Sequence, residues 1–189
     1  MVMKLLPTAI PEVIEIEPDI YLDRRGFLME TYQKQRYEDC GIVTGFVQDN
    51  LSYSVRGTLR GLHYQNPHCQ AKLVQVLKGE IFDAVVDIRQ GSPSLGRWVG
   101  VQLSEKDKHQ LFIPEGFAHG FCALSETALV HYKCSDIYAP ECEGGLLWSD
   151  PALSIRWPVK NPVISDKDSR YPLLRDIPIE RLPAFEEKC

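Results

Sequence analysis

Between Phe46 and Lys133 the chain repeats one short pattern, a run of valine, isoleucine, leucine and aromatic residues closed by a glycine, proline or asparagine turn, at intervals of roughly ten residues. The runs are clearest at 72–78, 80–88, 98–103, 110–113 and 128–133. Parallel strands need a crossover of about a dozen residues or more, and these intervals leave no room for one. An antiparallel sandwich or barrel is therefore expected, all-β in class, and a jelly roll is the architecture that fits. Lys72–Lys78 and Glu80–Ile88 around Gly79 read as a hairpin.

The ends of the chain depart from this rhythm. Ala9–Pro18 alternates like a strand, Asp23–Gly26 reads as a turn and Phe27–Tyr32 as a second strand, so a hairpin opens the chain. Lys34–Cys40 is the best candidate for a short helix, with Gly41 placed just past its end. Beyond Trp157-Pro158 the periodicity gives way to a tail punctuated by Pro158, Pro162, Pro172, Pro178 and Pro183. That tail is expected to drape over the barrel, with a short helix near Arg181–Lys188, and its Asp166-Lys167-Asp168 run can supply side chains to a site. The 189 residues suit a single domain: an N-terminal hairpin and helix over 1–45, a jelly-roll core over 46–157 and a C-terminal tail over 158–189.

Twenty-six acidic residues against 21 basic ones give no broad cationic field, which argues against nucleic acid or an anionic membrane as partner. Any anionic ligand must be met by local cations. No run reaches the ~18 to 20 apolar residues of a membrane span, and no secretory signal pattern opens the chain. A soluble cytoplasmic protein is expected. The six cysteines, Cys40, Cys69, Cys122, Cys134, Cys142 and Cys189, form no Cys-x-x-Cys pair and read as reduced thiols.

Chemistry concentrates in Gly57–Gln65, where Arg60 and His63 stand close together in a strand-like run. A small barrel bearing histidines raises the possibility of a metal-binding cupin. Such proteins carry a His-x-His pair followed shortly by Glu, whereas His63 is followed by Tyr64 and Gln65, with no Glu before Glu80. No metal is expected, although His63 with His119 remains the pair to test. The metal-free alternative is proton exchange at a carbon beside a carbonyl: imidazole as base, phenol as acid, and an ammonium facing the oxyanion. Such a carbon acid is weaker than imidazolium by on the order of ten pKa units, roughly 14 kcal/mol, so a base without enolate stabilisation is insufficient. Lys72 or a histidine must supply it.

Phe46-Val-Gln-Asp-Asn50, Leu59-Arg-Gly-Leu-His-Tyr-Gln65, Lys72-Leu-Val, Phe82–Ile88, Ile113–Phe121 and Tyr132-Lys133 together resemble the dTDP-4-dehydrorhamnose 3,5-epimerase family. Asp23–Gly26, Tyr138-Ala-Pro140, Trp148–Pro151 and Ser165–Asp168 extend the resemblance in order over nearly the whole chain. It implies a cofactor-free, cupin-like jelly-roll homodimer. The substrate would be dTDP-4-dehydro-6-deoxy-D-glucose, inverted at C3 and C5 to dTDP-4-dehydro-L-rhamnose on the route to dTDP-L-rhamnose. It further implies His63 as base, Tyr132 as the acid on the opposite face, Asp168 as partner of His63, and Lys72 with His119 near the C4 oxygen. For the nucleotide diphosphate it points to Arg25, Glu30, Gln48, Asp49, Asn50, Arg60, Glu143 and Lys167, with Tyr138 offering an aromatic face to the base. Arg25 and Glu30 would reach across a dimer interface into composite sites.

Several choices stay open on the residues alone. Asp166 competes with Asp168 as the carboxylate beside His63. An epimerase acting on one carbon, or a sugar-nucleotide-binding or metal-binding cupin without activity, would carry much of the same text. Arg60 and His63 are three residues apart, which in a regular strand sends them to opposite faces; a bulge seated at Gly61, a bend in the ladder or an Arg60 that reaches around would each bring them together. By the same alternation His131 should face away from Tyr132. Trp98, Trp148 and Trp157 read as packing residues.

Overall fold

The structure, a computed structural model, describes residues 3–185. Two antiparallel sheets face one another. The first has the order β1 (Lys4–Pro7), β2 (Ile14–Glu17), β10 (Gln110–Ile113), β7 (Lys72–Lys78), β12 (Thr127–Cys134), β5 (Gln48–Val55). The second has the order β13 (Glu143–Gly145), β6 (Leu59–Gln65), β11 (Phe117–Ala123), β8 (Glu80–Asp87), β9 (Trp98–Ser104). From β5 to β12 the chain crosses from one sheet to the other at each step except β8 to β9, which pair within the second sheet, and this is the manner of a jelly roll that the sequence leads one to expect.

Strand alternation divides each strand into an inner and an outer set. Val74, Val76, Leu111, Ile113 and Val130 of the first sheet meet Ile81, Val85, Val101, Leu103, Phe117 and Phe121 of the second in the apolar interior. The outer face of the second sheet, through Leu62, Tyr64, Ala84, Val86 and Ala118, is covered by Leu146, Leu153 and Ile177 of the C-terminal segment. That is why the tail lies where it does: both faces of β6, β8 and β11 are apolar, and only a third layer can cover the outer one. A counterpart layer on the first sheet packs Tyr37 of α1 (Lys34–Asp39) and Ile42 against Ile16, Leu73 and Phe112. Gly41 follows α1 at φ 86°, the left-handed position a helix end favours.

Three expectations change. Lys72–Lys78 and Glu80–Asp87 do not pair: β7 lies between β10 and β12, and β8 between β11 and β9. Gly79 turns a corner from one sheet to the other, with φ 80° and Thr127 O only 2.1 Å from where a Cβ would stand. A short turn makes two strands neighbours in the chain but not partners in a ladder, and apolar runs buried on both faces carry no mark of which strand they join. At the N-terminus the ladder begins earlier, at Lys4, and resumes only at Ile14, because 8–13 form a turn held by Thr8 Oγ1, which donates to Ile10 O and Val13 O at 2.8 Å each. The hairpin turn is where expected, joining β3 (Ile20–Asp23) to β4 (Gly26–Met29). At the C-terminus Ile179–Arg181 forms one three-ten turn, and Ala184 then bridges to Gln90. The remainder of the expected helix, 186–188, lies outside the described residues.

The end of the chain is anchored by Arg89. Its guanidinium lies over the rings of Phe117 and Phe185, at 4.3 and 4.9 Å, and donates to the buried Asp87 carboxylate at 2.7 Å. The barrel is therefore closed by packing and ion pairing at this end. Its other end is lined by polar side chains.

Candidate active site

A cavity of about 490 Å³ opens between the sheets, lined by His63, His119 and Arg60 from β6 and β11, Lys72 and Tyr132 from β7 and β12, and Asp168 and Lys167 from the tail. A smaller one of about 260 Å³ shares His63, Lys72, Tyr132 and Glu143 and adds Gln48, Asn50, Gln70, Cys134 and Tyr138. The two form adjoining parts of one cleft at the polar end of the barrel.

His63 is placed by a glycine contact. Gly61, at φ 117°, lies against Gly120 so closely that a Cβ would stand 2.6 Å from Gly120 Cα and 2.7 Å from His119 O. The β6–β11 register shifts at this point: His63 pairs with His119, but Arg60 pairs with Phe121. Of the alternatives the sequence leaves open, an irregularity at Gly61 is the one found, and Arg60 and His63 line the same cavity. His63 Nε2 lies 2.9 Å from Oδ1 of the buried Asp168, whose Oδ2 accepts from Gly61 N–H at 3.0 Å. Burial alone would raise the Asp168 carboxyl, but the hydrogen bonds from His63 and Gly61, with the His63 charge, outweigh it and hold the group below the usual carboxylate range. An ionised Asp168 requires a donor at Nε2, which leaves Nδ1 of His63 as the basic nitrogen. Asp166 is turned to solvent with its side chain 96% exposed, 3.8 Å from Arg170, so Asp168 alone of the two reaches His63.

The opposite wall carries Tyr132 and Lys72. Burial pushes the Tyr132 phenol up, with the Cys134 thiol adding to the shift and Arg60 opposing it, so the hydroxyl keeps its proton at neutral pH. Desolvation lowers Lys72 from the ordinary lysine value, against the pull of Cys134, Asp83 and Glu143. His119 Nε2 lies 2.8 Å from Asp83 Oδ2 in the interior. Desolvation lowers the His119 imidazole despite that carboxylate, and Lys72 and His63 lower it further. Burial thus favours a neutral His119 against the pull of Asp83.

The rim is a network centred on Glu143. Its Oε2 accepts from Tyr138 Oη at 2.6 Å and from Lys167 Nζ, and Tyr171 Oη lies 3.5 Å from Oε1. Burial works to raise Glu143, but Lys167 and Tyr138 outweigh it and hold the carboxylate ionised. Gln48 Oε1 accepts from Tyr138 N–H at 2.9 Å and Gln48 Nε2 donates to Asn50 at 3.0 Å, which ties β5 to this rim. Arg60 donates from Nε to Ser54 Oγ at 3.0 Å and from Nη2 to Tyr53 O at 3.1 Å.

Three expected residues are elsewhere. Asp49 is corrected: strand alternation turns it outward, where it pairs with Lys133 at 2.9 Å, while Gln48 and Asn50 face the cleft. Arg25 pairs with Asp23 and Glu30 with Arg36 on exposed surface, and neither lines the cleft of its own chain. His131, as expected, faces away from Tyr132, 3.9 Å from Asp49. Trp157 packs edge-on to Phe82 at 5.7 Å, and Trp98 and Trp157 both lie against the outer apolar layer. Among the described residues no group of three or more His, Cys, Asp or Glu side chains is arranged to hold a metal ion.

Sequence reasoning missed several contributors. Tyr171 lies edge-on to His63 with ring centroids 5.7 Å apart, over Gly145, where a Cβ would stand 2.4 Å from the ring. Gln65 is buried and donates to His68 O at 2.8 Å while accepting from Ala139 N–H at 2.9 Å, pinning two cleft loops together. Asp83 and Ser52 were hidden in a strand pattern, although alternation from Tyr132's partner Asn50 places Ser52 on the inner face.

Comparison with known proteins decides what this cleft belongs to. The family model described as dTDP-4-dehydrorhamnose 3,5-epimerase matches residues 7–176. The chain belongs to the dTDP-4-dehydrorhamnose 3,5-epimerase family. It is 52% identical over 168 residues to the enzyme of that name from Shigella flexneri, covering 88% of this chain and 93% of that one. A crystal structure of dTDP-6-deoxy-D-glucose-3,5-epimerase from Legionella pneumophila in complex with dTDP-4-keto-L-rhamnose superposes with a TM-score of 0.95 at 51% identity, covering 98% of this chain and all of that one. A dTDP-4-dehydrorhamnose 3-epimerase from Streptomyces niveus is 40% identical, over 92% of this chain and 85% of that one. The epimerase family thus contains both single-carbon and double epimerases.

Proposed function

We propose that this chain epimerises dTDP-4-dehydro-6-deoxy-D-glucose at C3 and C5 to dTDP-4-dehydro-L-rhamnose, using side chains alone. The observation that carries the mechanism is the distribution of acid and base between the two walls: His63 with Asp168 stands on the second sheet, Tyr132 on the first, and the same cleft separates them. A sugar ring held there is addressed from opposite faces, which turns proton exchange into inversion.

His63 Nδ1 takes the proton from the carbon beside the C4 ketone, and the electron pair of that C–H bond moves into an enolate. Asp168 stabilises the imidazolium that results. Lys72 donates to the enolate oxygen, and its lowered pKa brings the ammonium closer to sharing a proton with it. His119 completes that oxygen site. Tyr132 delivers its phenolic proton to the opposite face of the carbon, and solvent returns a proton to Tyr132 as His63 releases one. The sum is an isomerisation with no net redox change, and each step uses a group already in the cleft. Arg60 receives the diphosphate, Gln48, Asn50 and Lys167 line the same cleft around the nucleotide, Glu143 orders the rim, and Tyr138 offers its ring to the nucleobase.

A homodimer with composite sites accounts for the residues the single chain leaves outside. The β3–β4 hairpin, which carries Arg25, exposes Leu22 and Leu28 at 80% and 72%. The outer face of the edge strand β5 exposes Leu51, Tyr53 and Val55. Pairing of such surfaces between copies brings Arg25 and Glu30 to a partner's cleft. No helix among the described residues is long and apolar enough to cross a membrane, and the five described cysteines are free, which supports action in the reducing cytoplasm.

Incubation with the 4-keto sugar nucleotide in deuterated water, followed by NMR, tests this reading. Deuterium is expected at both C3 and C5. Incorporation at one carbon alone would instead assign the chain to the single-carbon epimerases, the reading favoured by its likeness to the Streptomyces niveus enzyme. Absence of exchange would refute both.

A further inference from the structure

Only two side-chain polar atoms among the described residues are shielded from solvent without a hydrogen-bond partner, Ser52 Oγ and Asp83 Oδ1, and of these two residues only Ser52 lines the cleft. Buried polar groups are satisfied almost without exception, so an orphaned hydroxyl in a cavity wall marks a place where a ligand atom belongs. Asp83 already engages His119 through its other oxygen. Ser52 has no such occupation.

Its position along β5 says what that ligand atom is. The inner face of β5 presents Gln48, Asn50, Ser52 and Ser54 in turn. Asn50 stands opposite Tyr132, Ser52 opposite Val130, and Ser54 Oγ accepts from Arg60. Ser52 is therefore one step of the inner face, roughly 6.7 Å, beyond the acid and on the way to the arginine. With the reacting carbons at Tyr132, that step spans the distance from the far side of a hexose ring to the phosphorus on its C1. Arg60 cannot serve that phosphate alone, since its Nε and Nη2 are already committed to Ser54 and Tyr53. Lys167 is held by Glu143.

We infer that Ser52 is a substrate-binding residue whose hydroxyl donates a hydrogen bond to a non-bridging oxygen of the sugar-linked phosphate, completing the diphosphate site with the free edge of Arg60. The inference rests on the assignment of the cleft to a dTDP-sugar. It adds the residue that senses the second phosphate.

The test is the binding of dTDP and of dTMP, which differ by that phosphate, to the unmodified chain and to Ser52→Ala, with thermal unfolding as a check on folding. Loss of a hydrogen bond to a charged group is expected to weaken dTDP about tenfold or more and to leave dTMP within about twofold. Equal weakening of both ligands would assign the hydroxyl to the nucleoside or to local structure and overturn the inference. So would unchanged dTDP affinity, including the case in which KM for the sugar nucleotide rises alone, which would place the contact on a sugar hydroxyl. Failure of the unmodified chain to bind dTDP would overturn the nucleotide-sugar assignment together with this inference, whereas the other adverse results overturn this inference only.

Discussion

Replacing Asp168 by Asn leaves the shape of the dyad intact and inverts its hydrogen-bonding logic. The carboxylate accepts twice, from Gly61 N–H at 3.0 Å and from His63 Nε2 at 2.9 Å. An amide has one acceptor. If its oxygen faces Gly61, its NH₂ faces Nε2, which must then surrender its proton. The imidazole shifts to the tautomer protonated at Nδ1, and the base is lost. If the oxygen faces His63, two donors confront each other at Gly61 inside the protein, which costs about 1–3 kcal/mol. To this is added the lost stabilisation of the imidazolium by a charged partner, about 1.5–3 kcal/mol. The sum, roughly 3–6 kcal/mol on the barrier, corresponds to a fall in kcat of about 10²- to 10⁴-fold. The assay is the rate of deuterium incorporation at C3 and C5, measured beside dTDP affinity, which should hold because Asp168 does not contact the diphosphate in the proposed arrangement. Exchange within about tenfold of the unmodified enzyme would refute the assignment of Asp168 as the group that sets the tautomer of His63.

The same substitution has a signature in stability. Asp168 is depressed in the folded chain, so the stability it contributes is fully present above the ordinary aspartate value near 3.9 and lost as pH falls through the folded value. Asp168→Asn should therefore flatten the acid limb of the unfolding curve in denaturant, and an unchanged limb would contradict the shift. Tyr132→Phe is expected to let His63 exchange protons at the reacting carbons while lowering inverted product by about 10²- to 10⁴-fold, read by comparing deuterium content with product stereochemistry. Equal loss of exchange and inversion would show that the phenol is needed before the carbanion forms. For Lys72, desolvation places the alkaline fall of kcat below the ordinary lysine value near 10.4, whereas burial moves Tyr132 upward and out of that window. Lys72→Arg should remove that alkaline limb from the pH profile while retaining a fraction of the activity, and a limb that persists unchanged belongs to another group.

The parts of the fold that depend on local rules are legible in the sequence: strand rhythm, the Asp23–Gly26 turn, the helix ended by Gly41, and the parity conflict between Arg60 and His63. Pairing is not a local property. Gly79 looks like a hairpin turn in one dimension and proves to be a corner between sheets, since the strands on either side are apolar on both faces and give no sign of their partners. The cleft shows the same division. His63, Tyr132, Lys72 and Asp168 stand out because their chemistry is conspicuous and their motifs resemble a family's. Ser52, Gln65 and Asp83 have ordinary side chains within strands, and only the register that sets Ser52 beside Val130 and His119 opposite His63 gives them a place. Asp49 failed for the converse reason: it stands in a motif, but strand alternation turns it away from the site its neighbours share.

In the proposed mechanism one base and one acid serve two carbons. C3 and C5 flank the ketone on either side, so each must come between His63 and Tyr132 in turn while the C4 oxygen stays near Lys72 and His119. Those four side chains are set on rigid strands of two sheets, with the base further fixed by Asp168 and by the ring of Tyr171. They do not follow the substrate. The sugar must therefore turn or shift about its C4 oxygen while the diphosphate remains held at Arg60 and Ser52, within the room that a cleft of about 490 Å³ allows. Single-carbon and double epimerases then differ less in their acid and base than in whether the cleft walls admit the second pose. On that proposal His63 and Tyr132 define the chemistry without fixing the number of carbons inverted, and labelling at C3 and C5 separates the two activities.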